Sequence, residues 1–143
     1  MHNAILNAEC LTKLGIKNSE LGIIMKKHNL ILDKSKAFAL RIISLYKHLI
    51  DNGQVYALAN QILRSGTSIG ANVREAVRGQ SKPDFYSKLG IALKEADETA
   101  YWLELLYESE YITKKQFDGL YTDCNELIKL LVAITKTQKI PNS

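Results

Sequence analysis

Residues 81–103, SKPDFYSKLGIALKEADETAYWL, read as the greater part of one long helix. Ser81 offers a side-chain oxygen to the free N–H groups of the first turn. Pro83 fits that turn without losing a hydrogen bond, and Asp84 sits near the positive end of the helix dipole. Phe85, Leu89, Ala92, Ala96, Thr99 and Leu103 recur at three- and four-residue spacing, and Leu106 extends the seam toward an end near Ser109. Ile91, Trp102 and Leu105 flank it on one side, and Leu93, Ala100 and Tyr107 on the other. This apolar stripe is wider than one bundle core needs, and the excess predicts burial against other subunits.

Upstream, Gly79-Gln80-Ser81 makes a turn, and residues 54–78 predict a second helix. Its apolar face is Ala59, Ile62, Leu63, Gly66, Ile69, Gly70, Val73, Ala76 and Val77. A second stripe of small or hydrogen-bonding residues runs beside it: Gln61, Ser65, Ser68, Asn72, Glu75 and Gly79. The stripe fits a binding seam or close helix–helix packing, and packing is the preferred reading. Gly66 and Gly70 each cost about 1 kcal/mol against Ala in a helix interior, so either close packing offsets them or the helix breaks near Gly66.

Downstream, Thr113-Lys-Lys-Gln116 is a capping box. It opens a helix with Phe117, Leu120, Tyr121, Cys124, Leu127, Ile128, Leu131 and Ile134 on its inner face, ending near Lys139 before Pro141. At the other end of the chain, Asp33 is a candidate N-cap for a helix over 34–52. That helix has Phe38, Ile42, Leu45 and Leu49 inward and Ala39, Tyr46 and Ile50 beside them; Asn52-Gly53 closes it through a left-handed residue. Short connections make successive helices antiparallel. The expectation is an all-α, up-down-up-down four-helix bundle over residues 29–140 with an N-terminal extension over 1–28. Within that extension, Ala4, Ile5, Ala8 and Leu11 suggest a short helix closed by Gly15, and Glu20 to His28 a second short segment. Met25-Lys-Lys-His28 reads like a translation start, so residues 1–24 read as an addition to the domain.

At 143 residues the chain is long enough for one domain with its own core. A composition 46% hydrophobic and 24% charged excludes a disordered chain, and 2 prolines with 8 glycines leave too few turn formers for a many-stranded sheet. Cys10 and Cys124 form no metal-binding or redox pair, which fits a reducing cytoplasm. No apolar run reaches membrane-spanning length, and no basic–apolar leader opens the chain.

The net charge of +4 is unevenly spread. Residues 25–94 hold 12 Lys/Arg against 4 Asp/Glu, whereas residues 95–126 hold 2 against 9. The basic half can meet an anionic partner, or the two halves can neutralise each other within or between subunits. Lys34, Lys36, Arg41 and Lys47 dot helix 1. Arg74, Arg78, Lys82 and Lys88 gather around the turn between helices 2 and 3. These eight are the candidate phosphate-binding residues, because cations so placed hold phosphates without reading sequence.

Catalytic patterns are missing. Glu75, Glu95 and Glu98 invite a carboxylate-bridged metal reading, but His2, His28 and His48 stand outside a Glu-x-x-His motif; the preferred reading is that Glu75, Glu95 or Glu98 pairs with Arg64 or Arg74 across helices 2 and 3. Ser65, Thr67 and Ser68 have no His nearby in sequence, and residues 66–70, GTSIG, lack a phosphate loop's Gly-Lys-Ser/Thr ending. No catalytic residue, metal, cofactor or small-molecule substrate is expected.

Residues 63–76, LRSGTSIGANVREA, together with 81–103 and the opening DKSKAFALRI at 33–42, resemble the bacterial four-helix bundle family of 23S rRNA intervening-sequence proteins, over about residues 29–138. The resemblance implies a homopentameric ring with a central channel. It also implies kinship with the accessory proteins of diversity-generating retroelements, in which a basic pentamer partners a reverse transcriptase and nucleic acid. Arg64, Ser68, Asn72, Glu75, Glu95 and Glu98 match the family's polar positions and, with Trp102, read as structural or interface residues. The expected function is a non-enzymatic, ring-forming binding module that contacts RNA or a nucleic-acid–protein complex. The alternative is a protein–protein scaffold without nucleic acid.

Overall fold

The computed structural model describes residues 17–136. Four helices follow one another: α1 (Asn18–His48), α2 (Tyr56–Val77), α3 (Lys82–Glu108) and α4 (Lys114–Thr135). Each packs on its chain neighbour, and α1 also meets α4, which closes an antiparallel four-helix bundle. No strand occurs among the described residues.

All seven residues of the expected α3 seam are buried, and its apolar members share one core with Ile42, Leu45 and Leu49 of α1, Ile62, Ile69 and Val73 of α2, and Leu120, Leu127 and Leu131 of α4. Each buried Leu, Ile, Val or Phe side chain contributes about 1.5–3 kcal/mol relative to exposure. Ser81 and Thr113 cap α3 and α4 as expected: Asp84 N–H donates to Ser81 Oγ at 3.2 Å, and both arms of the Thr113–Gln116 capping box form.

The start of α1 departs from expectation. Asp33 is not a cap; it lies well inside a helix that begins at Asn18 and absorbs the expected segment from Glu20 to His28. His28 and Ile31 are buried, so the bundle holds this stretch helical and overrides the start signal at Asp33. The α1 exit also shifts. Leu49–Gly53 forms a single π turn, and the left-handed residue is Gln54 (φ 51°), one place beyond Gly53. Consequently α2 begins at Tyr56, and it runs through Gly66 unbroken. The expected short helix around Ala4 to Leu11 and the stretch up to Lys139 lie outside the described residues.

Close packing explains the α2 glycines. A Cβ on Gly66 would stand 2.8 Å from the Ile42 side chain, and one on Gly70 would stand 3.3 Å from the Ser35 carbonyl oxygen. Between α2 and α3, the Ser65 and Thr99 hydroxyls lie 2.9 Å apart, both fully buried. The Ser68 hydroxyl and Asn72 amide donate to carbonyls of their own helix, of Arg64 at 2.6 Å and of Ser68 at 2.8 Å. Within the polar stripe on α2, Ser65 serves packing against α3, whereas Gln61 and Glu75 are exposed.

Candidate nucleic-acid interface

Antiparallel register sorts the basic residues. Lys34 and Arg41 on α1 face α4 and pair with Glu126 and Asp123, and Arg41 also reaches the Gly119 carbonyl. Lys88 pairs with Glu75 at 3.1 Å. Of the three carboxylates offered as arginine partners, Glu75 is the one that the α2–α3 register sets level with Lys88 instead. Part of the basic half is thus neutralised within the subunit.

Arg64 is held by two carboxylates of α3. Its guanidinium donates to Glu95 at 3.1 Å and to Glu98, and the Trp102 indole N–H donates to Glu98 at 3.2 Å. The Arg64 hydrogen bond holds the Glu98 carboxyl below its ordinary range, against the opposing effect of burial. The same pairing raises the Arg64 guanidinium. This network ties α2 to α3 and uses up Glu95 and Glu98. Among the described residues, no group of three His, Cys, Asp or Glu side chains is gathered to hold a metal. Cys124 is buried, and burial pushes its thiol up to about 12, far from a thiolate at neutral pH.

The remaining candidates divide between positions. The His28 ring packs at a tilt against Phe85 with ring centroids 4.9 Å apart, which sets α1 residues 26–28 level with the first turn of α3. The end of the bundle where α2 turns into α3 therefore gathers exposed Lys26, Lys27, Arg74, Arg78, Lys82 and Lys136, with half-buried Lys88. Carboxylates near this level include Asp33, Glu75 and Asp84, and Glu20 lies in the first turn of α1. An open depression of about 620 Å³ lies between α2 and α3 here, lined by Arg74, Arg78, Ser81 and Lys88 among others. Lys36 is exposed farther along α1, roughly 15 Å from Lys26 at 1.5 Å per residue. Lys47 stands at the opposite end, roughly 30 Å from Lys26, beside Asp51.

Sequence reasoning brought Arg74, Arg78, Lys82 and Lys88 together correctly but missed Lys26, Lys27 and Lys136. The Met25-Lys-Lys-His28 stretch carried the signal, read as a boundary instead of as one wall of a basic end. Of the broad apolar stripe on α3, Leu93, Ala100, Trp102 and Tyr107 pack against the subunit's own core. Ile91 and Tyr101 stay exposed at 40% and 52%, as does Leu40 on α1 at 60%. No described helix is long and apolar enough to cross a membrane.

Comparison with curated proteins finds no match. A solved structure, described as a protein of unknown function from the S23 ribosomal protein family of Bacteroides thetaiotaomicron, is 55% identical in sequence with a TM-score of 0.76; the match covers 77% of this chain and 98% of that one. A family model described as 23S rRNA-intervening sequence protein matches residues 27–133, a span that contains α2, α3 and the turn between them, together with most of α1 and α4. The chain belongs to the 23S rRNA-intervening sequence protein family.

Proposed function

We propose that the protein is a non-enzymatic, cytoplasmic binding module that contacts RNA, alone or within a nucleic-acid–protein complex, through the basic end of its bundle. The observation that carries this reading is the segregation of charge. Lys34, Arg41 and Lys88 are taken up by carboxylates, while Lys26, Lys27, Arg74, Lys82 and Lys136 lie exposed on one end. A family description that refers to ribosomal RNA supports the same reading. The proposal includes self-assembly into a homopentameric ring, in which the apolar side chains left exposed on outer faces, Leu40 and Ile91, are covered. A ring repeats the basic end five times, so contacts too weak singly become strong together.

Salt dependence tests the reading. Light scattering on a sizing column, with absorbance at 260 and 280 nm, should give a multi-subunit mass with excess 260 nm absorbance at low salt that is lost at high salt. Arg74→Glu with Arg78→Glu should abolish RNA binding and leave the assembly mass unchanged. RNA affinity equal to wild type in that variant removes the basic end as the contact.

A second reading, a protein–protein scaffold, draws on the intramolecular pairing of Lys34 and Arg41 and on exposed Tyr101. It predicts an assembled protein free of nucleic acid at every salt concentration, binding a partner protein such as a reverse transcriptase.

A further inference from the structure

We infer, building on RNA contact at the basic end, that this end takes double-helical RNA in preference to unstructured single strands. The two kinds of side chain that hold nucleic acid lie at opposite ends of the molecule. Among the described residues the exposed aromatic rings are Tyr56, Tyr101 and Tyr111. Tyr56 opens α2 and Arg74 follows 18 residues later, which is about 27 Å of helix. Tyr101 stands about 28 Å along α3 from Lys82. Tyr111 lies in the α3–α4 turn beside Gly53, at the end remote from Arg74. The rings that do sit at the basic end face inward. Phe85 is buried against His28, and Tyr86 is half-buried and edge-on to Phe85 at 5.2 Å. Residues 1–37 and 122–143 contain no Phe, Tyr or Trp.

Binding of a single strand combines a charged groove with rings on which its unpaired bases stack, and stacking supplies much of the affinity. A strand whose phosphates rest on Arg74 and Lys82 is a helix length away from the exposed tyrosines. A duplex makes no such demand, because its bases stack on each other; it is held through phosphates, 2′-hydroxyls and shape. The cations also suit it. They come from α1, α2 and α3, with neighbouring axes about 8–10 Å apart and α1 diagonal to α3, so they spread over a face instead of following one backbone in single file. A duplex presents two phosphate rows to such a face.

The test is fluorescence anisotropy on the full-length protein, with a fully paired RNA hairpin and an oligouridylate of equal phosphate number as probes, at one low salt concentration. The expected result is roughly tenfold tighter binding of the hairpin, in keeping with the missing stacking contribution. Tyr56→Ala with Tyr111→Ala should leave hairpin affinity within about twofold, since neither ring stacks on a base. Arg74→Glu with Lys82→Glu should abolish hairpin binding while the thermal melt by circular dichroism stays close to wild type. Oligouridylate bound as tightly as the hairpin overturns the inference and leaves RNA binding at this end standing. Hairpin binding that survives the Arg74 and Lys82 reversals overturns the placement. If neither probe binds, the functional reading itself falls, and this inference with it.

Discussion

His28 shows how one side chain can make stability depend on pH. It is buried against Phe85, and its Nδ1 has no hydrogen-bond partner. Burial disfavours the charged ring and lowers its pKa from 6.5 to about 4. A depressed folded pKa means the folded state favours the neutral ring. The associated stability is complete above pH 6.5 and is lost as pH falls toward 4. Each unit crossed costs up to ~1.4 kcal/mol, or roughly 3 kcal/mol over the window. Denaturation of wild type and His28→Leu at pH 7 and pH 4 should show the wild type losing that much more than the variant. At pH 7 the variant should match or exceed wild type by about 1 kcal/mol, because leucine leaves no buried nitrogen unpaired. Equal acid losses in the two proteins would assign the acid sensitivity to other groups. At the same scale, Ser65→Ala should cost about 1 kcal/mol in thermal or urea melts. It removes one buried hydroxyl, while Thr99 keeps its bond to the Glu95 carbonyl at 2.8 Å.

At the scale of the helices, two glycines in similar sequence settings call for opposite outcomes. Gly66 lies where α2 meets α1, and an added Cβ would collide with the Ile42 side chain, which is fully buried and has little room to move. Gly66→Ala should therefore lose about 1–3 kcal/mol to overpacking, more than the helix propensity it gains. Gly90 is exposed in α3, and a Cβ there meets nothing within 4 Å of this subunit. Gly90→Ala should gain up to about 1 kcal/mol through helix propensity. Urea denaturation of both variants checks the pair, and a stabilised Gly66→Ala would contradict the close α1–α2 contact. Periodicity and capping made the helices themselves legible: the seam from Phe85 to Leu106 and both caps are local features that short stretches of chain encode. The α1 start was not legible, because Asp33 has every local attribute of a cap. What holds the chain helical before it is the burial of His28 and Ile31. The exit from α1 eluded sequence for a like reason, since Asn52-Gly53 signals a left-handed residue but not that a π turn moves it to Gln54.

At the scale of the whole molecule, the candidate interface was half legible. The cluster around the α2–α3 turn is contiguous in sequence, so Arg74, Arg78, Lys82 and Lys88 could be grouped by eye. Lys34 and Arg41 have the same chemistry, but their partners Glu126 and Asp123 come from the far end of the chain, and only the α1–α4 register brings them together. A pair of this exposed kind adds about 0–1 kcal/mol to stability, yet it changes what the cation can do for a ligand. An incoming phosphate must compete with the carboxylate, and it gains little by displacing it. Removing Lys34 or Arg41 should therefore barely touch RNA binding, whereas removing a cation of the basic end should. With a labelled RNA hairpin, Lys34→Ala and Arg41→Ala should each shift affinity by no more than about twofold and leave the slope of log K against log salt unchanged. Arg74→Ala and Lys82→Ala should each weaken binding several-fold and reduce that slope by about one phosphate contact per subunit removed. A slope that falls equally in all four variants would mean that the positive field of the whole bundle attracts RNA, with no privileged end. A slope that falls only for Arg74 and Lys82 would locate the contact where the structure leaves positive charge exposed and together.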